Sequence, residues 1–182
     1  MQMDTGLDTG DMIHKKEIAI EPEEHFPALH NRLATLGASA MLEALEQLEK
    51  GTAIHSPQDN NLSSYAGLIT KAHAQINWHN TCESIVSMTR AYDPWPGSQT
   101  MYLGAPLKIW RLEPAPAPTA KAAPGTVLEV DPSRGLLIQA GDGALWATEL
   151  QGDGSKRMLA ADYLRGRDIK VGTLLDQSLN HS

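Results

Sequence analysis

The chain has 182 residues, 41% of them hydrophobic and 20% charged, and a formal net charge of −7. That is enough to build one or two domains with real cores, and no stretch approaches the ~20 uninterrupted apolar residues of a membrane helix. Cys82 stands alone, which excludes an internal disulfide and a cysteine-based metal site. A reducing, cytoplasmic setting is expected. No basic stretch followed by an apolar run opens the chain, so no signal peptide is expected. Residues 1–75 hold five Lys/Arg against eleven Asp/Glu, and residues 76–182 hold ten against eleven. The acidic front and near-neutral rear suggest two units, and neither is basic enough for charge alone to announce a nucleic-acid binder.

The opening MQMDTGLDTGDM places Asp4, Asp8 and Asp11 among Gly6 and Gly10. A calcium loop begun at Asp4 would need oxygen ligands at its third and fifth positions, a glycine at its sixth and a glutamate at its twelfth. Gly6, Asp8, Thr9 and Lys15 occupy those positions, so the spacing fails. His25 and His30 are five apart and share no helix face, and no metal is expected. The loop is then either turn chemistry or a glycine frame for one catalytic carboxylate.

Residues 12–20 alternate toward their end and predict a strand that stops at Glu21-Pro22. From 25 to 50, Leu29, Leu33 and Leu36, then Met41, Leu45 and Leu48, recur at helical spacing. They predict a helix pair or one helix interrupted at Gly37, ending at Gly51. These leucines are spaced to pack on a sheet. Residues 52–75, rich in turn formers, read as a connector. A helix is expected within 76–91, with Asn80 or Thr81 as N-cap and Ile85 and Met88 on one face. In YDPWPG two prolines flank Trp95, which reads as a rigid core corner with the indole buried.

From residue 98 the pattern is β. QTMYLGAPLKIWRLE predicts a hairpin turning at Gly104-Ala105-Pro106. EPAPAPTAKAAPG reads as a solvent-facing Pro/Ala loop. Residues 125–151 supply three more short strands, and AADYLRG a short helix ending at Gly166. Five short strands with small helices predict an OB-like barrel. If the 106–111 strand and the 152–157 turn share a face, their basic residues form a stripe for a phosphate backbone.

The opening loop, the helix HNRLATLGASAMLEALEQLEKGTA, the linker YAGLITKAHAQINW, the corner RAYDPWPG, the strand LKIW and the late APGTVLEV and GDGALW segments together resemble methionyl-tRNA formyltransferases, in order and spacing over essentially the whole chain. The resemblance implies an α+β chain: the remnant of a Rossmann-like formyltransferase domain (1–55), a linker (56–75), an OB-like domain (76–175) and a tail (176–182). It implies transfer of a formyl group from 10-formyltetrahydrofolate to the amino group of initiator methionyl-tRNA, with Asp8 of the Leu7-Asp8-Thr9-Gly10 loop as the catalytic carboxylate. With that tRNA partner, the candidate contacts are the basic residues Lys71 of the linker and Arg90, Lys108, Arg111, Lys121, Lys156 and Arg157 of the rear domain. The family's Asn-x-His-x-Ser-Leu-Leu-Pro segment, which carries two further catalytic residues, does not occur in this sequence. Most of the folate pocket is expected to be absent with it. The sequence also departs from the family at Asp4-Thr5-Gly6, where Asp-Glu-Gly is common, at Asn77, where an acid is common, and in a linker whose only cation is Lys71. The expectation is therefore an inactive C-terminal portion whose helix over 25–50 exposes an apolar face and self-associates. The alternative is a stand-alone RNA-binding module without catalysis.

Overall fold

The computed structural model describes residues 1–116 and 122–175. The chain divides into two compact units, residues 1–68 and 69 onward.

In the first unit the dominant element is α1, Phe26–Glu49, a single helix that runs through Gly37 without a break. The expected interruption there does not occur. One glycine in a helix interior costs only about 1 kcal/mol relative to alanine, and the leucines on either side keep one helical phase across it. The helix stops as its sequence predicts. Gly51 has φ +65°, its N–H bonds the Leu48 carbonyl, and the Thr52 N–H bonds the Gln47 carbonyl. This is the paired 5→2 and 6→1 closure of a Schellman motif.

No residue of α1 is buried, contrary to the expectation of leucines packed on a sheet. Residues 13–20 likewise form no ladder. Only Met12 pairs, in a two-way backbone bridge with Ser56. A strand needs a neighbour for its N–H and C=O groups, and the described residues of this unit supply one only at that point. The segment is held to α1 by polar contacts instead. His14 meets Glu43 at 3.1 Å, Lys16 bonds Ser39 and Glu43, and Arg32 donates to the Ala19 carbonyl at 3.3 Å.

The second unit holds the hydrophobic core. Its helix α2, Cys82–Ala91, begins at Thr81, whose hydroxyl accepts the Ser84 N–H at 3.2 Å. The strands are β1 (Gln99–Tyr102), β2 (Ala105–Pro114), β3 (Val127–Asp131), β4 (Gly135–Gln139), β5 (Ala144–Gly152) and β6 (Met158–Leu159), followed by α3 (Ala160–Arg165). All ladders are antiparallel, in the order β1-β2-β5-β4-β3 with β6 beside β5. The β1–β2 hairpin turns on Leu103-Gly104, both at positive φ, so its two-residue loop lies slightly before the expected position. Such a turn matches the twist of the flanking strands. Ile76, Trp78, Ile85, Ile109, Leu136, Ile138, Leu145 and Leu150 pack together, each essentially inaccessible. The Trp78 indole N–H is satisfied by the buried Thr100 hydroxyl at 3.2 Å, as a buried indole requires. The chain is thus α+β. Among the described residues no ladder joins β1 to β3. Of the expected Pro/Ala loop over 113–125, the first two residues end β2, and 117–121, with Lys121, lie outside the described residues.

Candidate functional site

The opening loop is closed by its own backbone and by a distant side chain. The Gln2 N–H bonds the Asp11 carbonyl at 2.8 Å, which brings the loop ends together. At Gly10 a Cβ would lie 1.9 Å from the Gln2 carbonyl oxygen, so only glycine admits this closure. Asp8 sits at φ +55°, a conformation aspartate tolerates better than most residues at some cost. Gln58 holds it there. Its side-chain amide donates to the carbonyl oxygens of Asp8 at 2.8 Å and Gly10 at 2.7 Å. With Thr9 spanned in this way and Met12 bridged to Ser56, the loop is fixed from Asp8 to Met12.

Gln58 lies in the segment whose turn-rich composition reads as a connector, and nothing local marks it as a clamp. The available signal is positional: it stands two residues beyond Ser56, in a segment that pairs with the loop some fifty positions earlier. Residues 58–66 then wall a cavity of about 820 Å³ with Leu7, Asp8, Thr9 and Met12. Its polar lining is hydroxyls, amides and the carboxylates of Asp8 and Asp59, with no basic side chain. Such a lining can orient an amine or take its proton. It offers no cation to an anionic ligand. Asp4 is occupied locally, accepting the Thr5 N–H at 2.6 Å, as in an ordinary turn.

The second cluster surrounds the 92–97 corner. The Gly97 N–H closes it onto the Tyr92 carbonyl at 2.9 Å. Gly97, at φ +79°, lies against the Trp110 ring, which a Cβ would meet at 2.8 Å. Trp110 occupies an irregular point of the β2–β5 ladder: Ile109 pairs with Leu150 and Arg111 with Glu149, and the register shifts between them. A bulge turns a side chain out of the regular alternation. Here the indole ring is approached by the Arg157 guanidinium at 4.8 Å and by Lys108 Nζ at 5.4 Å, and its N–H donates to Gln151 at 3.0 Å.

Arg157 bonds both oxygens of the buried Asp93, at 2.9 and 3.1 Å, and both oxygens of Glu149, at 2.7 and 2.8 Å. Glu149 first, then Asp93, raises the pKa of its guanidinium. The reading of Trp95 as a buried corner is overturned. Asp93, Pro96 and Gly97 are buried while Trp95 is 55% exposed. The anchor is the Asp93 carboxylate, and the indole points outward.

The expected basic stripe is therefore only partly assembled. Lys108 and Arg157 both lie over the Trp110 ring. Arg157, however, carries two carboxylates of its own. Arg111 pairs with Glu113, which Arg134 also approaches. Arg90, at the end of α2, bonds Ser87. Lys71, in a 3-10 turn over Lys71–Ala74, and Lys156 are exposed.

Cys82 shows what a site is not. Burial and then the neighbouring Asp142 carboxylate push its thiol up to about 11, and Asp142 accepts the Cys82 N–H at 2.7 Å. A thiol held protonated in this way is no nucleophile at neutral pH. Among the described residues no three metal-capable side chains converge, and no helix is long and apolar enough to cross a membrane.

Relatives place these features in a family. The chain is 40% identical over 175 residues to the methionyl-tRNA formyltransferase of Desulforamulus reducens, covering 96% of this chain and 55% of that protein. It is 42% identical over 175 residues to that of Thiobacillus denitrificans, covering 96% and 56%. The chain thus spans about half the length of the curated relatives it matches. Among solved structures, HypX from Aquifex aeolicus in complex with tetrahydrofolic acid superposes with a TM-score of 0.61 at 19% identity, over 93% of this chain and 32% of that one. At that identity the likeness concerns the fold alone. The profile of the formyl transferase C-terminal domain matches residues 68–168, more than half of the chain and nearly all of the second unit, and the chain belongs to that family.

Proposed function

We propose that this chain serves the transfer of a formyl group from 10-formyltetrahydrofolate to the α-amino group of initiator methionyl-tRNA, in the cytoplasm. The single observation that carries the reading is the extent of the likeness to methionyl-tRNA formyltransferases: it takes in 96% of the chain at 40% identity, the Asp8 loop and the sheet unit together. In this reaction the amine nitrogen attacks the formyl carbon. The bond from that carbon to the folate nitrogen breaks, and the ammonium proton must leave. Asp8 is the group we assign to orienting the amine and handling that proton. Its carboxylate has no hydrogen-bond partner among the described residues and borders the cavity. The cavity lining fits an amine better than a folate, whose carboxylates would find no cation there. The oxyanion donors the reaction needs correspond to the family's Asn and His, which this sequence does not contain.

The second unit, OB-like on the family's pattern, would hold the tRNA, with Lys71, Lys108 and Lys156 touching phosphates. Arg157 supports this surface through Asp93. A gel titration of the chain with initiator methionyl-tRNA tests the assignment. Binding that weakens with salt, and weakens further in a K71A/K108A/K156A variant, is expected. Salt-independent binding, or none, overturns it.

A stand-alone RNA-binding role is favoured by one observation, that the buried hydrophobic cluster lies wholly in the second unit. It predicts the same titration result without any formyl transfer. We also propose that the chain self-associates through the apolar side of α1, where Phe26, Leu33, Met41, Leu45 and Leu48 share one face and stand about half exposed. Sedimentation should show mass rising with concentration and falling back in an M41E/L45E variant. A monomer at all concentrations contradicts it.

A further inference from the structure

Trp95 is the largest side chain of its unit that the core does not claim. Every other part of its corner is fixed. Asp93 is 7% exposed and its carboxylate is gripped by Arg157, itself gripped by Glu149. Beyond the indole, the Pro96 carbonyl accepts Lys108 Nζ at 3.3 Å, Gly97 lies on Trp110, and the Ser98 carbonyl accepts the Ile109 N–H at 2.8 Å. Prolines 94 and 96 remove backbone freedom on both sides of the indole. A rigid exposed aromatic in a corner held by Arg157 at Asp93 and by Lys108 at Pro96 has the makings of a stacking platform. Its backbone is already ordered, its face is apolar, and the ammonium of Lys108, which spends one donor on the Pro96 carbonyl, has two more for a neighbouring phosphate.

We infer that Trp95 stacks on an unpaired base of bound RNA. The occupant is a base rather than a duplex backbone for two reasons. Two carboxylates offset the charge of Arg157, one of the two cations that hold this corner, so the charge left is less than a duplex backbone contact uses. Stacking is also the contribution to single-strand binding that does not need charge. The inference rests on the reading that this unit holds RNA and names the part of the RNA it holds.

The test compares a blunt RNA hairpin with the same hairpin carrying a short single-stranded 3′ end, titrated against the wild-type chain, W95A and W95F. The wild type should prefer the RNA with the single-stranded end. W95A should lose affinity for it by about 5- to 150-fold, W95F should recover most of the loss, and binding of the blunt hairpin should be unchanged. Circular dichroism should find W95A folded like the wild type, since the indole lies outside the core. If the wild type binds both hairpins and W95A behaves identically, or weakens both equally, stacking is overturned while RNA binding by the unit stands. If the wild type binds neither, both fall. If W95A alters only the sedimentation mass of the chain, Trp95 belongs to a protein contact and the inference is wrong.

Discussion

The two units of this chain obtain their order from different sources. Residues 69–175 enclose a continuous hydrophobic cluster in which strands, α2 and α3 bury one another. Residues 1–68 have one long helix with no buried residue, tied to the preceding segment by ion pairs, and an opening loop framed by Gln58. Burial of apolar surface, at ~25 cal/mol per Å², is a large term in the second unit and a small one in the first. Exposed ion pairs contribute little to stability. The chemistry we assign follows the reverse division. The group given a role at the reacting amine is in the weakly buried unit, and the strongly buried unit supplies surfaces for holding.

That contrast can be broken most forcefully in the core. Ile109→Ala or Leu150→Ala should cost the second unit about 2–5 kcal/mol, read as a lowered denaturant midpoint. Leu45→Ala on the exposed face of α1, measured at a concentration low enough to keep the chain monomeric, should stay within about 0.5 kcal/mol. Equal costs would mean that α1 has a buried partner and would remove the distinction.

A smaller but more specific loss is expected at Arg157. Its removal leaves the Asp93 carboxylate buried without the Arg157 Nη1 group that donates to both its oxygens. A fully buried pair broken in this way costs about 3–5 kcal/mol. Arg157 is over a third exposed, so water can take up part of the deficit, and about 2 kcal/mol is expected for Arg157→Ala. Arg157→Lys keeps the charge but loses the fork and should fall between. Asp93→Asn in the Arg157→Ala background should recover some of the loss, because an uncharged amide tolerates burial better.

In the first unit, Gln58→Ala removes two hydrogen bonds to the loop. About 1–2 kcal/mol of local stability should go with them, read as faster amide exchange in the opening loop with the second unit unchanged. Faster exchange in the second unit as well would mean that the two units are not separate in their stabilities.

The smallest effect concerns Cys82. With its thiol at about 11, alkylation should be slow at pH 8 and accelerate only as the pH climbs toward that value. Asp142→Asn should hasten it by removing the nearby negative charge, though burial, the larger cause, remains. Asp142 itself is held below its ordinary range, chiefly by the Cys82 N–H. A carboxylate with a depressed folded pKa contributes stability above its unfolded value of about 3.9 and loses it as the pH falls through the folded value. Acid should therefore loosen the start of α2 below about pH 4.

How much of this was readable before folding depended on how local the cause was. Thr81 as N-cap, the Gly51 stop, the strands on either side of Asp131-Pro132 and the short helix ending at Gly166 all follow from neighbouring residues, and the sequence states them openly. The strand over 12–20 did not form a ladder because its pattern speaks of a face and says nothing about a partner. Gly37 did not break its helix because one glycine costs less than the turns on both sides supply. Trp95 was misjudged because hydrophobicity argues for burial, whereas the corner is anchored by an acid whose partner is 64 residues away. Gln58 was missed for the same reason, being a side chain that reaches a backbone 50 residues earlier. The role we assign to Asp8 rests on resemblance to a family, since composition alone favours an ordinary turn over a catalytic loop.

The central claim is that Asp8 serves formyl transfer and that the second unit holds the tRNA. The most direct test mixes this chain with the front half of the Desulforamulus reducens relative, the part this chain does not match, and supplies 10-formyltetrahydrofolate and methionyl-tRNA. Formyl-methionyl-tRNA is then measured with the wild-type chain and with Asp8→Asn. The account predicts product with the wild-type chain and a fall of about 10²–10⁴-fold with Asp8→Asn, the range expected for a lost proton-handling group. Equal product from the two chains would contradict it.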